Sequence, residues 1–227
     1  DEARLKDELG SQLDEGNMRY FAGDLRQRLT IANLISATID AFDQVDVLVN
    51  ASRQVMTTDV MDVEDTSVEV LLEQNMMTSL RLTQQVAKRM IKQAGEQTEG
   101  TVGTIVNLSS IAARSSRPEL MGYSIASAAM EQMTRSMALA LAPNRIRVNA
   151  VAFGSVMSAS LQAAMIEHSD WRDEIEEKTP LGRVAGPGEL VDVVQFLASD
   201  ASAFMTGEVV TVDGGRSLLD PISAPAH

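Results

Sequence analysis

Short apolar runs that alternate with longer amphipathic segments are the feature of this sequence that most restricts its fold. The short runs predict strands at 18–21, 45–50, 104–109, 147–152 and 208–213. Segments with helical periodicity separate them, at 2–13, 28–42, 66–94, 124–142 and 188–198. This alternation predicts a parallel sheet covered on both faces, the doubly wound α/β class, with VDVLVN at 45–50 as a strand buried on both faces.

The start of the chain departs from this pattern. A doubly wound nucleotide-binding fold opens with a strand, a glycine-rich turn and a helix. This sequence opens instead with the helix that would ordinarily follow the second strand. We therefore expect a strand-turn-helix unit of roughly forty residues to be missing ahead of Asp1.

Charge and composition limit the function classes. The 19 basic and 32 acidic residues give a net charge of −13, which opposes binding to nucleic acid or to anionic membranes. The sequence has no cysteine, which excludes disulfides and thiolate metal sites, and we expect no metal site. With 44% hydrophobic residues and no apolar run of about 20 residues, the 227 residues are predicted to form one cytoplasmic domain, 1–227.

Several segments carry a recognisable family pattern. They are VDVLVNAS (45–52), LLEQNMMTSLRLTQ (71–84), GTIVNLSS (103–110), Tyr123, NRIRVNAVAFG (144–154) and the run from TPLGRV to VTVDGG (179–215). Over essentially its whole length the chain resembles the short-chain dehydrogenases/reductases. The resemblance implies hydride transfer between NAD(P) and an alcohol or carbonyl, with 155–180 as a substrate lid; residues 216–227 would be a C-terminal tail.

The catalytic residues of that family can be assigned one at a time. The resemblance makes Tyr123 the acid/base, Ser110 the group that holds the substrate oxygen, and Asn75 the support for a bound water. The lysine that makes the tyrosine an effective acid is replaced by Ser127, the last residue of YSIAS at 123–127. Because a serine hydroxyl carries no charge, we expect hydride transfer to be severely impaired.

The cofactor positions also depart from the family. Its N-N-A-G segment corresponds here to Asn50, Ala51 and Ser52, which lack one asparagine and the glycine. Its P-G pair corresponds to Phe153 and Gly154, which places a ring where a proline would shape the nicotinamide pocket. These changes predict a vestigial cofactor site.

Three further features of the sequence could belong to a functional site. Asp24 matches the family aspartate that contacts adenine, or is a solvated carboxylate that ends a strand and caps the next helix. The glycine pattern at 182–188 has the spacing of a phosphate loop, but EIEEKTPL precedes it and no strand does, so we reject it as a phosphate site. His168 and Trp171, in the lid, receive no role.

Two helices predict an assembly surface. The helix at 124–142 is apolar nearly all round and rich in small residues and methionines. In the family it packs with the helix at 66–94 against a second subunit. We therefore expect these helices to bind an intact paralogue or a second copy of the chain.

Three functions remain open at this stage. The first is a degenerate, non-catalytic subunit that binds no cofactor itself and supports an NAD(P)-dependent alcohol or hydroxyacyl dehydrogenase. One such pair, the hydroxyacyl-CoA dehydrogenase type of the benzylsuccinate (toluene) pathway, is a further resemblance. The second is an active NAD(P)-dependent oxidoreductase with an unseen nucleotide loop. The third is a cofactor-free enzyme that uses Ser110 and Tyr123, as haloalcohol dehalogenases do with an arginine at the position of Ser127.

Overall fold

The computed structural model describes residues 18–220 together with Ala3, Asp7, Leu9 and Gly10. The strands of its sheet are Val47–Asn50 (β1), Gly103–Ser110 (β2), Ile146–Phe153 (β3) and Val209–Val212 (β4). They pair in the order β1-β2-β3-β4 and all run parallel, so their carboxyl ends lie at the same edge. The predicted α/β class with a parallel sheet is confirmed.

Helices flank this sheet. They are Arg28–Phe42 (α1), Ser67–Leu71 (α2), Thr78–Ala94 (α3), Met121–Leu141 (α4), Ala159–Glu167 (α5), Trp171–Glu177 (α6) and Pro187–Ala198 (α7). A π-helical segment, Leu72–Met77, joins α2 to α3, so the helix predicted at 66–94 is continuous but has a widened turn. Among residues 18–220, no helix is both long and apolar enough to cross a membrane.

The two faces of the sheet bury separate apolar clusters. On one face, Ile105 of β2 and Val148 of β3 pack with residues of α1, α3 and α4. On the other face, Val106 and Val151 pack with Leu197 of α7. Side chains alternate between the faces along each strand, which is why adjacent β2 residues enter different clusters.

A buried arginine joins β3 to α7 and the turn that follows it. Arg147 is 6% exposed and donates to the Ser202 and Thr104 hydroxyls at 2.9 and 3.0 Å. It also donates to the carbonyl oxygens of Leu197 and Ser199, at 3.2 and 3.0 Å. These carbonyls lie at the carboxyl end of α7, so Arg147 satisfies backbone groups that the helix leaves unpaired.

Two strand predictions need correction. Residues 18–21 join no strand of the described sheet, because a short apolar pattern does not supply the backbone partner that a strand requires. β1 is not buried on both faces: Val47 and Val49 are 43% and 40% exposed, because β1 lies at the edge of the described sheet. The helix predicted at 2–13 falls largely outside the described residues, as does the tail at 221–227.

Candidate active site

The candidate site lies at the carboxyl ends of three neighbouring strands. Asn50, Ser110 and Phe153 are the last residues of β1, β2 and β3. Ser110 and Phe153 are register partners on adjacent strands. This edge of a parallel sheet is where open α/β folds bind ligands.

Tyr123 lies in the first turn of α4 and points its hydroxyl at an arginine. The side chain is 6% exposed and packs with Leu71 and Ala126. Its Oη accepts a hydrogen bond from Nη1 of Arg53, in the loop after β1. The Arg53 guanidinium carbon also lies 4.2 Å from the centroid of the Phe153 ring. Arg53 therefore bridges Tyr123 and Phe153 across the site.

Ser127 does not take over the role of a cation. Its hydroxyl donates to the carbonyl oxygen of Tyr123 at 2.8 Å, one turn back along α4. The cavity between Ser127, Asn75, Tyr123 and Arg53 measures about 10 Å³. A cavity of this size holds at most about one water molecule. The positive charge at Tyr123 comes from the β1 loop and not from α4.

Asn75 lies in the π-helical segment and fixes the loop that carries Arg53. Its Oδ1 accepts from the backbone N–H of Gln54 at 2.7 Å, and its Nδ2 donates to the Gln54 carbonyl at 2.8 Å. Both polar groups of the amide therefore hold the residue that follows Arg53. The Asn75 carbonyl oxygen accepts from the Ser79 hydroxyl at 3.1 Å.

Ser110 connects β2 to the short helical turn Ile111–Ala113. Its Oγ accepts from the backbone N–H of Ala112 at 3.2 Å, which caps this turn. The residue is 7% exposed and lies beside Phe153 on the next strand. The capping contact uses Ser110 as an acceptor and leaves its hydroxyl proton for another group.

Asn50, a predicted cofactor residue, belongs to a buried amide network. Its Nδ2 donates to Asn107 Oδ1 at 2.8 Å and to Thr83 Oγ1 at 3.0 Å. Asn107 in turn donates to Thr134 Oγ1 at 2.9 Å. These contacts tie β1 and β2 to α3 and α4, and Ala51 begins the exposed loop beyond them.

The Phe153–Gly154 pair ends β3 against the segment that follows β4. Phe153 is 3% exposed and presents its ring to Arg53. A Cβ atom at Gly154 would lie 3.0 Å from the Asp213 Cβ and 3.1 Å from its Cα. A side chain at this position would therefore need Asp213 to move by a few tenths of an ångström.

Asp24 lies in a turn ahead of α1 and is engaged locally. Its carboxylate accepts from Nε and Nη2 of Arg26 at 2.9 and 2.7 Å. This side-chain hydrogen bond from Arg26 holds the pKa of Asp24 below its ordinary value. The N-cap of α1 is Gln27, so Asp24 neither ends a strand nor caps the helix. No described contact joins it to Tyr123 or Ser110.

The remaining sequence features lie away from Tyr123. The glycine pattern at 182–188 follows α6 rather than a strand, and Gly186 is the N-cap of α7. Glu189 accepts from the Gly186 N–H at 2.8 Å and pairs with Arg183 at 2.6 Å. The rings of His168 and Trp171, in the segment predicted to be a lid, stack at 4.3 Å. No group of three or more His, Cys, Asp or Glu residues within the described chain could hold a metal ion.

Arg53 is the residue that sequence reasoning missed. Its signal was a cationic side chain directly after VDVLVNAS, at the carboxyl end of a predicted strand. The family pattern shows which residues the segment after β1 lacks. It assigns no role to an arginine at position 53.

Comparisons with known proteins identify what the chain is similar to. The model of a family described as enoyl-(acyl carrier protein) reductase matches residues 1–217. An uncharacterized oxidoreductase of Methylorubrum extorquens is 31% identical over 85% of this chain and 74% of its own length. The 3-oxoacyl-[acyl-carrier-protein] reductase of Thermotoga maritima is 30% identical over 88% and 77%. Among solved structures, a gluconate 5-dehydrogenase from Burkholderia cenocepacia, in complex with NADP and tartrate, superposes with a TM-score of 0.82, 25% identity and coverage of 97% and 84%.

Proposed function

The chain belongs to the short-chain dehydrogenase/reductase family of oxidoreductases, and we propose that it is a degenerate member whose nicotinamide site is closed by Arg53. In this role it transfers no hydride itself and supports an NAD(P)-dependent alcohol or hydroxyacyl dehydrogenase assembly. The observation that carries the proposal is the position of the Arg53 guanidinium, bound to the Tyr123 hydroxyl and stacked on Phe153.

The residues at this position do not fit a nicotinamide ring. In the family the ring lies between the catalytic tyrosine and the wall that Phe153 and Gly154 form here. The guanidinium already contacts that wall at 4.2 Å, which is packing distance. Its charge would also repel the positively charged, oxidised nicotinamide. Space and charge therefore both oppose a bound cofactor while Arg53 stays in place.

Nucleotide binding to the purified chain tests this proposal. Calorimetric titration with NADH and NADPH is expected to show no saturable binding to the wild type. Arg53→Ala is expected to show saturable binding, because the cation and its volume are removed. Arg117→Ala, which removes an exposed arginine from an ion pair with Glu119, is the matched control and is expected to behave as wild type. Micromolar NADPH binding by the wild type would contradict the closed site.

A second candidate is an active dehydrogenase in which Arg53 replaces the family lysine as the cation beside the tyrosine. The hydrogen bond from Arg53 to the Tyr123 hydroxyl favours it, as does the NADP in the complex of the gluconate 5-dehydrogenase. The same variants separate the two. An active dehydrogenase would lose turnover in Arg53→Ala, whereas a closed site would gain affinity for the nucleotide.

For the partner, we propose the outer face of α4 together with α3. Exposed residues recur at helical spacing on α4, beside the exposed Arg135 and Ala140: they are Ile125, Ala128, Gln132, Ser136 and Leu139. Met133 and Met137 do not belong to this face, since Met133 is 8% exposed and Met137 packs against the core. The small side chains at 128 and 136 would allow a second helix to approach closely.

Substitution at the exposed end of this face tests the assembly. Leu139 is 80% exposed on α4, and Leu29 is 72% exposed on α1. Leu139→Glu is expected to reduce co-purification of a co-expressed intact dehydrogenase, because a buried unpaired carboxylate is costly at an interface. Leu29→Glu is the control with the same chemistry on another surface. Equal recovery of the partner with both variants would argue against α4 as the interface.

A further inference from the structure

The Arg53 guanidinium has donors that the protein does not use. In the described part of the chain, only Nη1 forms a hydrogen bond, to the Tyr123 hydroxyl. The Phe153 ring covers one face of the guanidinium group and leaves the N–H groups along its edges accessible. The planar guanidinium group, which can bind a carboxylate through two N–H groups, is therefore available to a ligand. Its contacts with Tyr123 and Phe153 fix its position.

The charge of Arg53 is also uncompensated. Arg26, Arg135 and Arg183 each pair with a carboxylate, at 2.7, 3.3 and 2.6 Å. For Arg53, no carboxylate oxygen among the described residues lies within 4.0 Å of a guanidinium nitrogen. The chain as a whole has a net charge of −13. Arg53 nevertheless provides a local positive charge at the ligand-binding edge of the sheet, where an anion could bind.

Ser110 supplies a second hydrogen-bond donor next to this anion-binding position. It is the register partner of Phe153, so its side chain lies one strand away on the same face, at a spacing of about 4.8 Å. Its Oγ accepts from Ala112, and its proton is not donated to any described residue. A ligand bound to Arg53 over Phe153 would therefore lie at the strand end that carries this hydroxyl.

We propose that Arg53 and Ser110 bind the carboxylate of a small organic acid at the edge of the sheet. The ligand would donate no proton and lose no bond; it would be held by charge-assisted hydrogen bonds from Arg53 and one from Ser110. A carboxylate is the ligand proposed because its two oxygens match the planar N–H pair of a single guanidinium. This inference rests on the placement of Arg53 and not on the absence of hydride transfer.

Acetate is the probe that tests the carboxylate site. In ¹H–¹⁵N spectra of the full chain, the Nε–Hε signal of Arg53 is assigned by its loss in Arg53→Met. Sodium acetate, titrated against sodium chloride at matched ionic strength, is expected to shift this signal saturably. By ligand-observed saturation transfer, Arg53→Met is expected to bind acetate about tenfold more weakly or worse, and Ser110→Ala more weakly than wild type. Arg117→Met is expected to bind as wild type.

The opposing outcomes are equally specific. Acetate binding that survives Arg53→Met, or a shift that follows chloride as closely as acetate, would overturn the site. Sodium phosphate that binds as tightly as acetate would overturn its preference for carboxylates. Far-ultraviolet circular dichroism of each variant shows that the fold is retained, and Arg53→Lys, which keeps the charge without the planar guanidinium group, is expected to fall between wild type and Arg53→Met.

Discussion

Two arginines in this molecule show how the surroundings of one chemical group decide its role. Arg147 lies beneath α7, with acceptors on Thr104, Ser202 and the end of the helix. Arg53 lies in the cleft at the carboxyl edge of the sheet, with Tyr123 as its acceptor. Burial lowers the pKa of Arg147, and the negative charge of Asp200 opposes part of that shift. Both Nη groups of Arg147 are satisfied inside the protein, and only its buried Nε has no partner, whereas the unused donors of Arg53 are available to a ligand.

The contrast between interior and cleft extends beyond these two arginines. The interior holds buried polar links among strands and helices, including the network of Asn50, Asn107 and Thr134. The cleft has Ser127 in place of a cation and a different cation delivered by the β1 loop. A scaffold held by interior contacts can be preserved while a residue in a surface loop changes the chemistry of the site.

The largest expected effect is on stability and compares the two arginines directly. Arg147→Met is expected to lower the free energy of unfolding by about 3–5 kcal/mol, because buried hydroxyl and carbonyl acceptors lose their donor. Arg53→Met is expected to lower it by about 1 kcal/mol, because Arg53 itself is exposed and only its one hydrogen bond, to Tyr123, is lost. Urea unfolding followed by circular dichroism measures both. Similar decreases in the free energy of unfolding for the two variants would show that Arg147 does not stabilise the fold more than Arg53 does.

A smaller effect is expected from the amide network. Asn107 is fully buried, and Asn107→Leu removes one hydrogen bond each from Asn50 and Thr134, which keep their contacts with Thr83 and Met130. We expect a loss of about 1–3 kcal/mol in the free energy of unfolding, because two buried hydrogen bonds are lost. Asn144→Leu, an exposed position after α4, serves as the control. A neutral outcome at Asn107 would place the stability of the interior in its apolar clusters alone.

The smallest effect concerns the exposed ion pair ahead of α7. The hydrogen bond from Arg183, with a second from the Gly186 N–H, lowers the pKa of Glu189 from 4.5 to about 2. Because the folded state then binds the proton less tightly than the unfolded state, ionised Glu189 stabilises the fold above the unfolded pKa. That contribution is lost as the pH falls from 4.5 toward 2. The urea midpoints of wild type and Glu189→Gln should therefore differ more at pH 6 than at pH 2, by a modest amount because the pair is solvated.

The control for this titration is Glu96→Gln, which removes one negative charge from an exposed position elsewhere. It should show no comparable convergence between the two pH values. If both glutamate variants behave alike, the pH dependence reflects net charge and not the contact with Arg183.

Local patterns in the sequence predicted the parallel α/β sheet and, to within a few residues, the helices Arg28–Phe42, Met121–Leu141 and Pro187–Ala198. They did so because apolar periodicity is a local property that each segment carries in its own residues. The sequence also brought Tyr123 and Ser110 forward as site candidates, through a family pattern of motifs. It erred at 18–21, where a strand would have needed a backbone partner elsewhere in the chain.

The presence of a cation beside Tyr123 follows from long-range contacts in the folded chain. Arg53 is 70 residues away from Tyr123 in the sequence. The two residues meet because β1 ends, and α4 begins, at the same edge of the sheet. Asn75, from a third segment, fixes the loop through Gln54 and so sets where Arg53 can reach. The sequence indicated that Ser127 leaves the site without its usual cation. Because a guanidinium can be delivered from any loop that reaches the cleft, the arrival of another cation depended on long-range packing that no local pattern encodes.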